Sequence, residues 1–386
     1  MNTIKQNEYC QPFESLYKLN IGLSLDEYET EEAMSVILNE KDKIKRTSLL
    51  SALLNGIMIK GPTINEVQGL LNASLKLDNV LNKRLKIEMP NGEPIIGVAS
   101  SGKKGIKTIN ITSVACFVAA ACGVKIAKAC SHSTSSKTGS SDFLDICGLD
   151  LNIPFKNKIE ILKKYNIAFF SIEETTPKFA ELYGGLFYVP HAISFALAGL
   201  SFPIKIDALA YGLSHPNVKL SAEVLKSFGI KNALAYSSTF DGIHFMDELL
   251  PIGRVNFARI KNGYVERTIS ADIQDTLNVN STFKLQSIKE KFDKTENVIA
   301  SLKILRGEGE LSQIDAICVN SAIFLLLANK ANSLKEGYEI AKNKLKSHKI
   351  WDLFINVLTK YRGNEKHIKD LLFINNQLYN NSNLKS

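Results

Sequence analysis

Residues 97–142 carry the densest set of anion-binding side chains in the chain, gathered in two loops rich in serine, lysine and glycine. In the first, Ser100, Ser101, Gly102, Lys103, Lys104 and Gly105 lead to Asn110, Ile111, Thr112 and Ser113, where a helix is expected to begin. A helix start leaves amides without partners and a glycine turn points further donors the same way, so the pair makes an anion cradle. In the second, Lys128 ends a strand, and Ser135, Ser136, Lys137, Thr138, Gly139, Ser140 and Ser141 precede Asp142. Hydroxyls and an ammonium suit phosphate oxygens. By composition alone the plainer alternative, two Ser/Gly surface loops, is the commoner reading of such segments. Their co-occurrence around one helix favours the cradle.

These loops need elements to hold them. Residues 1–85 read as a small helical layer. Ser24 and Glu27 have capping-box spacing and open a helix to about Asn39, a second runs from about Lys43 to Gly61, and Thr63 with Glu66 starts a third reaching about Leu77. Leu49, Leu50, Leu53, Leu54 and Ile57 form a stripe of helical period on the second of these. From Pro94 short β-rich runs alternate with helical ones: Ile95–Ala99, a helix over Ser113–Cys122, then Val124–Ala127. That alternation predicts a parallel α/β sheet. Ile167–Ser171 and Ala233–Ser237 are further strands, and Val255–Ile260, Asn262, Gly263 and Tyr264–Arg267 predict a hairpin. Ser333 and Glu336 cap a helix near the end, ahead of the polar tail NNSNLKS.

The composition narrows the class. With 386 residues, 45% hydrophobic and 22% charged, the chain has room for two or three ordinary domains, or for one large catalytic domain with a smaller helical partner. Its longest uncharged apolar stretch, Val114–Val124, is shorter than the roughly 20 residues a bilayer crossing needs, so no membrane association is expected. The net charge of +8 is almost entirely lysine interleaved with acids; arginine occurs only as Arg46, Arg84, Arg254, Arg259, Arg267, Arg306 and Arg362. That pattern argues against nucleic acid and is compatible with small phosphate-bearing substrates. Cys10, Cys116, Cys122, Cys130, Cys147 and Cys318 show no zinc-site spacing and are expected to be buried thiols. The start of the chain has no apolar secretory run, which predicts a cytoplasmic protein.

The order of these segments resembles the anthranilate phosphoribosyltransferase-like family of the nucleoside phosphorylase/phosphoribosyltransferase superfamily. There a G-T-G-G-D loop runs into an N-x-S-T helix start and then a K-H-G-N-R-x-x-S-S-x-x-G-S-x-D stretch; here Asn110 to Ser113, and Lys128 with Ser135 to Asp142, follow in the same order. Outside that core, Lys60 to Thr63 resembles K-G-E-T, Leu213 to Pro216 resembles P-L-T-N-P, Asp241, Gly242, Asp247 and Glu248 resemble D-G-x-D-E, and Asn332 to Gly337 resembles the terminal helix. The likeness runs over roughly residues 15–360.

The resemblance implies an α/β fold with a small all-α domain: residues 1–85, with a helical contribution near 178–200, packed on a larger α/β domain of residues 86–177 and 201–386. It implies a cleft for 5-phosphoribosyl 1-diphosphate and Mg²⁺, where pyrophosphate is displaced from the anomeric carbon by a small-molecule acceptor, and a homodimer formed through the helical domain. Ser100 to Lys104, Asn110, Thr112, Ser113, Lys128, Ser131, His132, Ser135, Ser136 and His191 would then bind substrate, with Thr112, Asp247 and Glu248 at the metal. Without the resemblance, Asp247 and Glu248 are an exposed acidic pair. His132 suits a proton carrier or an ordinary loop histidine; His191, Phe187, Tyr188 and Phe195 suit an acceptor slot or core packing.

Three departures shape the expected chemistry. Ser100, Ser101, Gly102, Lys103 and Lys104 stand where the family has G-T-G-G-D, and Lys128, Ala129, Cys130, Ser131 and His132 where it has K-H-G-N-R. The family's arginine for the aromatic acid's carboxylate has no counterpart in the apolar stretch Ala192–Leu200, so an acceptor other than anthranilate is expected. Two alternatives follow from the same departures: phosphorolysis of a nucleoside with inorganic phosphate, and a non-catalytic homologue that binds a ligand only.

Overall fold

The computed structural model describes residues 12–277, 283–347 and 349–373. Four helices come first: α1 (Phe13–Asn20), α2 (Glu27–Asn39), α3 (Lys43–Lys60) and α4 (Ile64–Lys76). The first cap differs from expectation. Asp26, not Ser24, is the N-cap of α2: it accepts from the Glu29 amide at 2.8 Å, and Glu29 reaches back to the Asp26 amide at 3.1 Å. Ser24 accepts instead from Lys60 Nζ at 3.0 Å, so its hydroxyl serves a contact between helices that local spacing does not reveal. Thr63 and Glu66 form the expected capping box on α4, and Gly61 ends α3 with φ +96°.

Beyond them a mixed sheet runs in the order β3-β2-β1-β4-β5-β6-β7, with β8 beside β6. Its strands are β1 (Ile95–Ser100), β2 (Lys125–Cys130), β3 (Ile167–Ser171), β4 (Ala208–Gly212), β5 (Ala233–Thr239), β6 (Arg254–Lys261), β7 (Tyr264–Val265) and β8 (Ile269–Asp272). The first five are mutually parallel, and β6 to β8 add antiparallel pairs, so the expected hairpin forms between β6 and β7. Central parallel strands are covered on both faces, and β1 shows it: Ile96 and Val98 enter one core, Ile95 and Ala99 the other.

The core around Ile96 takes α5 (Ile111–Ala121) and the later helices α10 (Lys294–Leu305), α11 (Leu311–Leu327), α12 (Leu334–Leu345) and α13 (Lys349–Lys360). The opposite core holds α1 to α4, the 192–200 stretch and α9 (Val218–Ser227). Between them in chain order come α6 (Ser140–Ile146), α7 (Phe155–Tyr165) and α8 (Pro177–Tyr183). Helix α5 begins at Ile111, two residues ahead of expectation, and β2 is shifted to Lys125–Cys130. Among the described residues no helix is long and apolar enough to cross a membrane.

The strand order decides where a ligand fits. The chain moves outward from β1 to β2 and β3, then returns to place β4 on the other side of β1. Crossovers that leave in opposite directions open a crevice at the carboxyl ends of β1 and β4. Both serine-rich loops emerge at that edge.

Candidate active site

Ser101 anchors the first loop after β1. Its amide donates to the Gly212 carbonyl at 2.8 Å and its hydroxyl accepts from the Ser214 amide at 2.9 Å, while Ser214 Oγ donates to the Gly102 carbonyl at 2.8 Å. The segment Leu213–Pro216 is thus tied to the first loop. Gly102 donates its amide to Asp247 Oδ2 at 2.8 Å, and Gly212 passes so close to Asp247 that a Cβ there would fall 1.9 Å from its carbonyl oxygen. Lys104 forms an ion pair with Glu248 and donates to the Thr108 hydroxyl, which itself lies 3.3 Å from both Glu248 oxygens.

The second loop closes on itself. Asp142 Oδ2 accepts from the Ser133 and Gly139 amides, each at 2.8 Å, and Lys294 holds the other oxygen at 2.9 Å. A Cβ at Gly139 would strike the backbone of Ser131, His132 and Ser133, so the turn requires glycine there. Lys107 joins the loops: its Nζ donates to Ser135 Oγ at 2.9 Å and to the Lys104 carbonyl at 2.6 Å. Between them α5 presents its first turn. Its N-cap, Asn110, makes no side-chain cap bond; its Nδ2 donates to the Gly139 carbonyl at 3.2 Å, and its Oδ1 is buried without a partner.

Together these groups line one cavity of about 230 Å³, far more than a single water needs. Ser100 to Lys104, Asn110, Thr112, Ser113, Lys128, Ser131, His132, Ser135, Ser136, Asp247 and Glu248 all border it. His132 does so at the rim, with its ring bonded to Asp145 at 3.0 Å and its amide to Glu173 at 2.9 Å. His191 is not at the wall. It lies one layer behind, 4% exposed, its Nε2 bonded to the Tyr183 hydroxyl that does border the cavity.

The far wall is one the sequence reading missed. Phe179 and Tyr183 of α8, with Ser194, Leu197, Ala198 and Tyr211, complete it. Phe179 and Tyr183 stack with ring centroids 4.8 Å apart, and Phe187 stacks on Tyr183 at 5.4 Å, which makes Phe187 part of the aromatic support. Tyr188 is 64% exposed and Phe195 is buried against His215. Asp78, about a hundred residues away, fixes α8 by accepting from the Lys178 and Phe179 amides at 3.1 and 3.0 Å.

Charge in the cavity is shifted by burial. Desolvation pushes the Lys103 ammonium down to about 8, with Lys107 acting the same way and Asp247 opposing. Its Nζ crosses the cleft to lie 3.3 Å from the Tyr183 hydroxyl. Burial raises the Glu248 carboxyl to about 7; the Lys104 charge pulls it down and Asp247 pushes it up. His191 is held well below its ordinary value by burial and by Lys103, so it is neutral. The five described cysteines are free, and burial raises each thiol, which makes them packing groups; Cys10 lies outside the described residues.

The carboxylates test the expected metal. Asp247 and Glu248 are 3% exposed each, both are already engaged by protein donors, and among the described residues no group of three His, Cys, Asp or Glu side chains comes together for a metal ion. This donor set does not fit a protein-held cation.

Comparison with known proteins settles the family. Residues 92–349 match the glycosyl transferase family, a/b domain. The chain belongs to that family. Within it the relatives are of the anthranilate phosphoribosyltransferase type: one from Petrotoga mobilis is 30% identical over 331 residues, 85% of this chain and 90% of its own. Among solved structures, anthranilate phosphoribosyltransferase from Thermus thermophilus matches with TM-score 0.72 and 22% identity over 90% of this chain and 99% of its own. The Saccharomyces cerevisiae enzyme in complex with PRPP and Mg matches with TM-score 0.71 and 16% identity over 91% and 97%. The fold is the one these structures share, and the chain is a glycosyltransferase of the pentosyltransferase class.

Proposed function

We propose that the chain transfers phosphoribose from 5-phosphoribosyl 1-diphosphate to an aromatic or other nitrogen acceptor, and that this acceptor is not anthranilate. The carrying observation is that Thr112, Ser136, Lys104 and Glu248, from four separate segments, border a single cavity at the carboxyl ends of β1 and β4. Displacement at an anomeric carbon asks for positioning and charge stabilisation more than for covalent help. The first-turn amides of α5, the Ser135 and Ser136 hydroxyls and the lysines would hold the leaving diphosphate, and the Tyr183 wall would present the acceptor to the opposite side of the ribose. A Mg²⁺ ion would come with the donor, since such an ion keeps several ligands from substrate and water; the yeast relative's complex with PRPP and Mg supports that donor.

The acceptor wall supports the second half. No arginine lies in Ala192–Leu200, and the cation that meets the Tyr183 hydroxyl is Lys103, a point charge instead of the planar fork that grips a carboxylate with two bonds. Division into helical and α/β domains at the stated boundaries follows the resemblance, with α1 to α4 sharing their core with α9 and one face of the sheet; a homodimer fits the exposed Phe13, Ile21, Leu23, Tyr28 and Ile59 on that layer, and a cytoplasmic site fits the free cysteines.

A screen for pyrophosphate release from the donor over a panel of aromatic amines tests the reading. Release with at least one amine supports it; release of ribose 1-phosphate from nucleosides with inorganic phosphate would replace it by phosphorolysis. Anthranilate turned over faster than every other amine would overturn the acceptor claim.

A further inference from the structure

Lys104 stands where the family's donor loop ends in aspartate. Its ammonium is paired with Glu248 and bonded to Thr108, and Asp247 Oδ2 is taken by the Gly102 amide at 2.8 Å. Lys107 lies alongside on the Lys104 carbonyl at 2.6 Å, and Lys103 leaves the same loop to reach across the cleft to Tyr183 at 3.3 Å. One ammonium is therefore paired with Glu248, and those of Lys107 and Lys103 feel the Asp247 charge through space. A divalent cation approaching Asp247 and Glu248 would have to displace a tethered charge and would meet like charge on two sides.

We propose that Lys104 takes the place of a protein-held divalent cation: it neutralises Glu248 permanently, leaves the Lys103–Lys107 loop cationic, and binds the donor's diphosphate directly, so that the free protein holds no metal. The inference rests on the proposed diphosphate site. A charge carried on the chain needs no free metal to assemble the cradle, and an ammonium with its protons directed at phosphate oxygens makes the charge-assisted bonds that a metal makes by coordination.

The test uses the full-length protein after chelation. Calorimetry measures inorganic pyrophosphate binding with and without Mg²⁺, and electron paramagnetic resonance follows Mn²⁺ added to the ligand-free protein. Metal-free pyrophosphate should bind, and free Mn²⁺ should stay free. Lys104→Met should weaken metal-free pyrophosphate binding about tenfold or more, the loss of one charge-assisted contact, with Lys104→Arg restoring most of it. Lys104→Asp, which sets a third carboxylate beside Asp247 and Glu248, should gain Mn²⁺ binding with circular dichroism unchanged. Mn²⁺ bound by the wild type and released by Asp247→Asn would overturn the inference, and so would pyrophosphate binding only with Mg²⁺; both leave the site's identity intact. Binding of neither pyrophosphate nor the phosphoribosyl donor under any metal condition would overturn the inference and the underlying reading together.

Discussion

Lys103 and Glu248 both change state within the accessible pH range, at about 8 and about 7. Burial sets the Lys103 ammonium near pH 8, so the charge facing the cleft is present below that value and lost above it. Donor affinity is expected to fall as pH rises through about 8, and Lys103→Met is expected to remove that fall while lowering kcat/KM by about 10- to 100-fold. A pH series of pyrophosphate release for both proteins checks this; an unchanged profile in the variant would assign the titration elsewhere. Stability moves the other way. Between about pH 8 and the ordinary lysine value the unfolded chain holds a proton that the folded chain has released, so unfolding free energy rises with pH across that window. Denaturant midpoints at pH 8 and pH 10, compared between wild type and Lys103→Met, isolate that contribution.

At the level of elements, two close approaches position the site and give the sharpest mutational expectations. Gly212, the last residue of β4, leaves no room for a side chain against the Asp247 carbonyl. Gly212→Ala should force the acidic segment away from the first loop, break the Gly102 to Asp247 bond and abolish donor binding, at a stability cost of about 1–3 kcal/mol. Asp78 caps α8 across about a hundred residues of sequence. Asp78→Ala should cost about 1–2 kcal/mol and raise the acceptor KM by freeing Tyr183, with donor affinity little changed. Thermal denaturation together with separate donor and acceptor KM values distinguishes the two variants. These same elements explain what the sequence left hidden. Capping boxes and the helical stripe of α3 are local patterns, and the helices they announce form within a few residues of expectation. Strand β4 is missing from the sequence-based expectations although its Ala-Leu-Ala-Tyr run is the one that opens the expected β5, so this run reads as a strand or not according to neighbours that cover both faces. Asp78 and Lys107 escaped notice for a related reason: an isolated acid and one lysine among many acquire their roles through contacts that only the tertiary fold creates.

For the molecule as a whole, sequence order carried more than any single motif. The loops, the α5 start and the acidic couple are each weak signals, yet their order matches that of the family, and the fold brings all of them to one edge of the sheet. His191 lies behind the wall, and the candidate slot residues Phe187, Tyr188 and Phe195 are off it too, because their places follow from the irregular turns of 184–200 and the Tyr183 hydroxyl, which spacing does not encode. On the outside, the apolar side chains left exposed on α1 to α3 predict self-association. Sedimentation should give a dimer for the wild type and a monomer for a variant carrying Tyr28→Glu and Ile59→Glu; a wild-type monomer would refute that assembly. The most direct measurement remains a crystal structure with 5-phosphoribosyl 1-diphosphate bound. It should show the diphosphate within hydrogen-bond reach of Thr112, Ser136 and Lys104, with the ribose facing Tyr183. A donor bound away from this cavity, or a diphosphate touching only one of the two loops, would contradict the account.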